Sequence, residues 1–170
     1  MSISERLLDQ MFKSKPLRGE STLMKASLVW SSPSPEKTIA VAMRRCYSTK
    51  PIEEIESELD QKGREYWKFL LTKALQDKSL DVIEHFTMTL VVDGLDEVET
   101  GRLSMRFPFV RFLRLPGKSW LVSMNGRTLI EIWRDAASKS FASAIIAELD
   151  AKQVCPVLQS LAFGGWASAS

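Results

Sequence analysis

One histidine, two cysteines and no apolar run long enough to cross a bilayer set the first limits on this chain of 170 residues. Cys46 and Cys155 lie too far apart to form the close ligand pairs of a zinc site, so zinc chemistry is not expected. Nor is this the cysteine spacing of a small secreted scaffold. It predicts two free, buried thiols in a reducing, cytoplasmic setting. The N-terminus lacks the apolar core of a secretory signal, so no membrane partner is expected. A glycine-rich phosphate loop, a Gly-x-Ser-x-Gly elbow, Ser-His-Asp or Cys-His spacing, and a carboxylate cluster for two-metal chemistry are all missing. Conventional hydrolases and P-loop enzymes are thereby excluded by motif.

Acid is also missing from one long stretch. Residues 100–130 contain none, yet carry Arg102, Arg106, Arg111, Arg114, Lys118 and Arg127. Uncompensated guanidinium groups concentrate positive potential and meet phosphate in planar, bidentate geometry, so this is an anion-attracting segment. The alternative is a solvated basic face, or arginines paired with acids from elsewhere in the chain. Overall charge does not choose between them, because 23 bases nearly balance 21 acids.

What is present fits one domain with a sizeable core, 45% of the chain being apolar. Residues 1–22 read as a helical extension, with Ile3, Leu7, Leu8, Met11 and Phe12 at helical spacing before "KSKPLRGEST" breaks the pattern. A single domain spans residues 23–163, and residues 164–170 form a tail. "KASLVW" reads as a strand. A helix follows, capped by Ser34 and opened by Pro35, with Ile39, Met43 and Cys46 on one side. Pro51 opens a second helix to about Gln76, striped by Ile52, Ile55, Leu59, Tyr66, Phe69 and Leu70 and divided at Gly63. Phe86 to Val92 alternates as a half-buried strand. A helix through Leu95, Val98 and Leu103 puts Arg102 and Arg106 on one face. "FPFVRFLRLPG" is read as extended and "SWLVSMN" as a further strand. Gly126 to Ala137 and Phe141 to Leu149 are helical. Strands and helices mix without regular βαβ alternation, so the fold class is α+β, a small mixed or antiparallel sheet packed with several helices.

In order, "PEKTIAVAMRRCYS", a long helix, "VIEHFTMTLVVDG", a helix ending in arginine, and "WLVSMNGRTLIEI" with "CP" some thirty residues later resemble the flavin-dependent thymidylate synthases. The resemblance covers about Met24 to Leu161. "IEHFTMTL" is similar to that family's E-H-x-x-F-T-F strand, and "SMNGRTL" to its V-N-A-R-x-L turn into a helix. The family signature R-H-R-x-x-S-x-N-x-x-S-x-R is not matched. An ungapped count from Glu84 and His85 puts its first three positions on Ser104, Met105 and Arg106, leaving only the second arginine. The upstream H-x-S/T pattern is replaced by Ser79 and Asp81. A late pyrimidine-facing arginine falls on Ala136 by the same count, and on Arg134 only after a two-residue shift.

The resemblance implies FAD as cofactor, NADPH and methylenetetrahydrofolate as cosubstrates of an active enzyme, and methylation of dUMP. It also implies a homo-oligomer, tetramer or dimer, with sites between subunits. It assigns His85, Arg106, Asn125 and Arg127 to the cofactor, and Arg111 and Arg134 to a uridine nucleotide substrate. No residue is assigned a catalytic step. Two other readings stand beside this one. A non-catalytic homologue would serve as an oligomeric scaffold or partner subunit, its old site filled by Phe107, Phe109 and Phe112. Nucleic-acid binding through Arg106 to Arg114 would need exposed rings for stacking, which the apolar, strand-like character of the segment opposes. Glu84-His85 itself reads either as a site remnant or as the polar lip of a buried strand, Asn125 as a helix N-cap, and Arg127 as half of a surface ion pair.

Overall fold

The alternation that begins at Phe86 becomes the centre of the molecule. Strand β2 (Thr87–Asp93) buries Met88, Leu90 and Val92 and turns its other side chains outward. It pairs antiparallel with β1 (Lys25–Ser31) on one side and with β4 (Ser119–Asn125) on the other. A short edge strand, β3 (Arg111–Arg114), completes a four-stranded antiparallel sheet in the order β1-β2-β4-β3. The structure, a computed structural model, describes residues 23–164. The extension at residues 1–22 and residues 165–170 of the tail lie outside the described residues.

Among the described residues six α-helices accompany the sheet: α1 (Pro35–Arg45), α2 (Ile52–Gln76), α3 (Glu97–Arg106), α4 (Gly126–Arg134), α5 (Lys139–Ala151) and α6 (Pro156–Ala162). The fold is thus α+β with an all-antiparallel sheet. Ile39 and Met43 of α1, Leu129 and Ile130 of α4, and Phe141 and Ile145 of α5 share one core with the buried side of the strands. Each such side chain contributes roughly 1.5–3 kcal/mol by leaving water. Gly63 divides α2 as its composition foretells, at φ 70°, a conformation that other residues adopt only at a cost.

Two carboxylates fasten the periphery. Glu36, buried in the first turn of α1, accepts from the backbone N–H of Val157 at 2.5 Å and of Leu158 at 3.2 Å, and so caps α6. Glu148 of α5 accepts from Leu28 N at 2.9 Å and occupies part of the β1 edge.

Several local expectations are corrected. Ser34 stands at the N-cap of α1 with φ 45°, but its side chain makes no capping bond; its carbonyl instead accepts from Thr38 N at 3.0 Å. Cys46 is exposed and only Cys155 is buried, where desolvation pushes its thiol up to about 12 and leaves it inert. Residues 107–110 form a turn ahead of β3, because Phe107 and Val110 drop into the core on either side of Pro108. Helix α4 ends at Arg134, and a 3₁₀ turn takes up Ala136–Ser138. Ile52, Phe69 and Val98 point to solvent. Helix α6 has no counterpart in the sequence reading.

Candidate functional site

The two most specific fragments of the chain, some forty residues apart, meet at one corner. Thr87 and Asn125 are opposite in the β2–β4 ladder, and Gly126 N donates to Phe86 O at 2.7 Å. That approach requires glycine. A Cβ at position 126 would stand 2.9 Å from Phe86 Cδ1 and 3.0 Å from both Ile83 Cγ2 and Ile83 O. Asn125 ends the strand and caps α4, its Oδ1 accepting from Thr128 N at 2.8 Å. Before β2, a 3₁₀ turn (Val82–His85) buries Val82 and Ile83, which turns Glu84 and His85 outward.

Arg127, in the first turn of α4, lies between two acids. Its Nη1 donates to Glu84 Oε1 at 2.7 Å and its Nε to Glu131 Oε1 at 2.8 Å. Glu131 and then Glu84 raise its pKa further above the usual arginine value. All three side chains are more than one-third exposed or close to it, Arg127 at 38%, so solvent screens the pairs and one carboxylate can be exchanged for another anion at little cost.

His85 opens onto a cleft of about 610 Å³ between α1 and the start of α2. Val41, Ala42 and Ile52 give it an apolar wall; Ser34, Lys37 and Arg45 supply donors, Thr38 Oγ1 donates to Pro33 O at 3.1 Å, and Glu56 adds a carboxylate. Lys37 is bridged to Asp60 at 2.8 Å. Arg45 donates through Nη1 to the carbonyls of Ser48 and Lys50 at 3.0 and 2.8 Å. Carbonyls orient a guanidinium without cancelling its charge, so Arg45 remains a positioned cation at the wall. These α1 residues are absent from the sequence-based candidates. A signal exists: Lys37, Val41 and Arg45 recur every four residues, one helical face beside the buried Ile39–Met43 stripe.

At the other end of α4 the picture changes. Asp135, with its side chain 12% exposed, receives Arg106 at 3.0 Å, Arg102 at 3.7 Å and the Ser138 hydroxyl at 2.5 Å. Ser138 foremost, then Arg106 and Arg102, hold its carboxyl below the usual aspartate value. Arg102 also makes two bonds to Glu99, at 2.7 and 3.1 Å. Ten residues of helical rise, about 15 Å, separate this cluster from Asn125.

Of the six site candidates, the fold brings His85, Asn125 and Arg127 together. Arg106 and Arg134 belong to the far end of α4. Arg111 stands on β3 opposite Ser123, donating to the Pro108 and Val110 carbonyls. Arg114 pairs with Glu97. The acid-free segment is therefore largely neutralised by acids from outside it, the alternative noted from the sequence. Its aromatic residues are mostly structural: Phe107 is buried and Phe112 packs on Trp120 and Phe141. Phe109 is exposed, so the three do not fill one site. Among the described residues no cluster of three metal-ligating side chains occurs and no helix is long and apolar enough to cross a membrane.

Comparison with known proteins gives one local likeness. The chain is 28% identical over 88 residues to a flavin-dependent thymidylate synthase of Clostridium tetani, covering 51% of this chain and 34% of that protein. The chain thus spans about a third of the length of that relative. No family model matches, and no solved structure does.

Proposed function

We propose that this protein is a divergent relative of the flavin-dependent thymidylate synthases and binds a flavin or uridine nucleotide at the His85 cleft. The observation that carries the reading is the meeting of "IEHFTMTL" and "SMNGRTL", the two fragments most like that family, as paired strands, with His85 of the first at the wall of a cleft. The local likeness to the Clostridium tetani enzyme agrees with it.

The donor set of the cleft fits FAD. Its volume suits a cofactor-sized ligand, with an apolar wall for a ring, Arg45, Lys37 and Ser34 for phosphate oxygens, and Glu56 to accept from ribose hydroxyls. His85 would donate to or accept from the ring edge. Arg127 would turn from Glu84 toward a phosphate, while Asn125, engaged as a cap, would fix the helix rather than contact ligand. When bound, a reduced flavin supplies hydride; the chain's part is to orient the nucleotide and shield it from water. Methylation of dUMP with methylenetetrahydrofolate and NADPH belongs to this proposal only for a completed site. Arg106, Arg111 and Arg134 would join such a site from a second copy, in a homotetramer or homodimer.

A second reading is favoured by the carboxylates on Arg127 and Arg106: a non-catalytic homologue that serves as scaffold or partner subunit and keeps the fold after losing the chemistry. Titration of the purified protein with FAD, followed by absorbance and fluorescence, separates the two. The flavin reading expects saturable binding, weakened about tenfold by Arg45→Ala as an ion–phosphate contact is lost. Binding that is absent, or indifferent to Arg45→Ala and Arg127→Ala alike, leaves the scaffold reading. Sensitivity to Arg106→Ala as well would indicate completion by a second copy.

A further inference from the structure

Helix α2 changes character at Gly63. Before the kink it lends Ile52 and Glu56 to the His85 cleft; beyond it, Arg64 and Lys68 line a second cleft, of about 440 Å³, together with residues of α6. The indole of Trp67 spans the break, its Nε1 donating to Leu59 O at 2.9 Å, and Leu70, Leu71 and Ala74 of the second half are buried. With that side of the helix fixed in the core, Arg64 and Lys68 come one turn apart on its exposed flank. Like charges at this spacing repel unless an anion lies between them. Arg44, Arg102, Arg106, Arg114 and Arg127 each hold a carboxylate of the chain. Arg64 and Lys68 hold none among the described residues, and Glu65, at the same cleft, bridges to neither.

We propose that this cleft binds a small phosphomonoester, with its phosphate on Arg64, Lys68 and the Ser160 hydroxyl and its organic part against Pro156 and Val157. The donors match that anion. A guanidinium meets phosphate in a planar, bidentate fork, an ammonium adds a point charge, and the Ser160 hydroxyl is free of partners among the described residues. Other polar groups nearby are already spent. Gln153 closes α5, its Nε2 and its backbone N–H both donating to Asp150 O, at 2.8 and 2.9 Å. Glu36 takes the Val157 and Leu158 amides, so the end of α6 offers no donors of its own. The cleft has more room than a bare phosphate needs, within the range of small-molecule sites, and its apolar wall suits a carbon skeleton. Two cations against one acid leave it positive, and Glu65 opposes a second phosphate on the same ligand.

Calorimetric titration of the full chain with phenyl phosphate, and with inorganic phosphate beside it, tests the site. Phenyl phosphate should bind saturably and more tightly than inorganic phosphate. R64A/K68A should weaken it about tenfold or more, since two charge-assisted contacts are lost. Both side chains are exposed, so the core is untouched by the change. Glu65→Gln should act in the opposite sense and tighten binding about twofold, a gain that damage to the fold cannot mimic. No saturable binding, or binding indifferent to R64A/K68A, would overturn the proposal. Loss in Arg45→Ala instead would move the anion to the His85 cleft and overturn it too. An equal loss in Lys62→Ala, an exposed cation outside the cleft, would reduce the effect to general surface charge and do the same.

Discussion

The two ends of helix α4 hold similar chemistry for different ends. At the C-terminal end two arginines and a buried hydroxyl converge on one nearly buried carboxylate. At the N-terminal end one half-exposed arginine is shared by two half-exposed glutamates beside a cleft. The first cluster ties α3 to the turn after α4 through a carboxylate that is itself mostly buried, with Arg106 at its exposed rim. The second is wet, screened and exchangeable. Arginine and carboxylate in contact are therefore no guide to function by themselves; burial and the number of partners decide whether the pair is a rivet or a latch.

Substitutions at the two ends should keep this contrast apart. The largest effect belongs to Gly126→Ala, where the added methyl meets Phe86 and the Ile83 backbone; we expect a loss of about 1–3 kcal/mol in urea denaturation. Next is Asp135→Asn at the opposite end. Because the folded carboxyl is held below its unfolded value, Asp135 contributes stability above the usual aspartate range and loses it as pH falls through the folded pKa. The variant should thus be less stable than the parent at neutral pH, and the gap should narrow as pH falls below the usual aspartate range. A gap independent of pH would remove the charge from the account.

Asn125→Ala deletes the cap on Thr128 N and should cost about 1 kcal/mol, with Asn125→Asp restoring most of it. Arg127→Ala should change stability least, by no more than about 0.5 kcal/mol, since its partners are screened and remain solvated. If Arg127→Ala destabilised the protein as much as Gly126→Ala, the exchangeable latch would be a structural rivet instead.

How far the sequence alone reaches follows from the kind of information each feature needs. β2 was readable because Thr87 and Thr89 alternate with Phe86, Met88 and Leu90, a purely local pattern. The α2 kink and the Asn125 cap were readable because glycine and asparagine announce their conformations. The Ser34 cap failed since the serine adopts φ 45°, which turns its hydroxyl away from the helix amides. Pairing of Arg106 with Asp135 and of Arg127 with Glu84 is tertiary, so the sequence could offer paired arginines in the acid-free segment only as one of two readings. The cleft residues of α1 were overlooked for a related reason. Lys37, Val41 and Arg45 lie on an ordinary amphipathic helix until the 3₁₀ turn sets His85 opposite them.

The single histidine offers the most direct test of the ligand site. Imidazole resonances of His85 can be followed without assignment ambiguity, since no other histidine is present in the chain. Titration with FAD, and separately with dUMP, should shift both ring signals saturably with at least one of the two nucleotides, and Arg45→Ala should move the midpoint to higher concentration. Ring signals that stay unmoved by either nucleotide at millimolar concentration would contradict the assignment of the His85 cleft as the binding site.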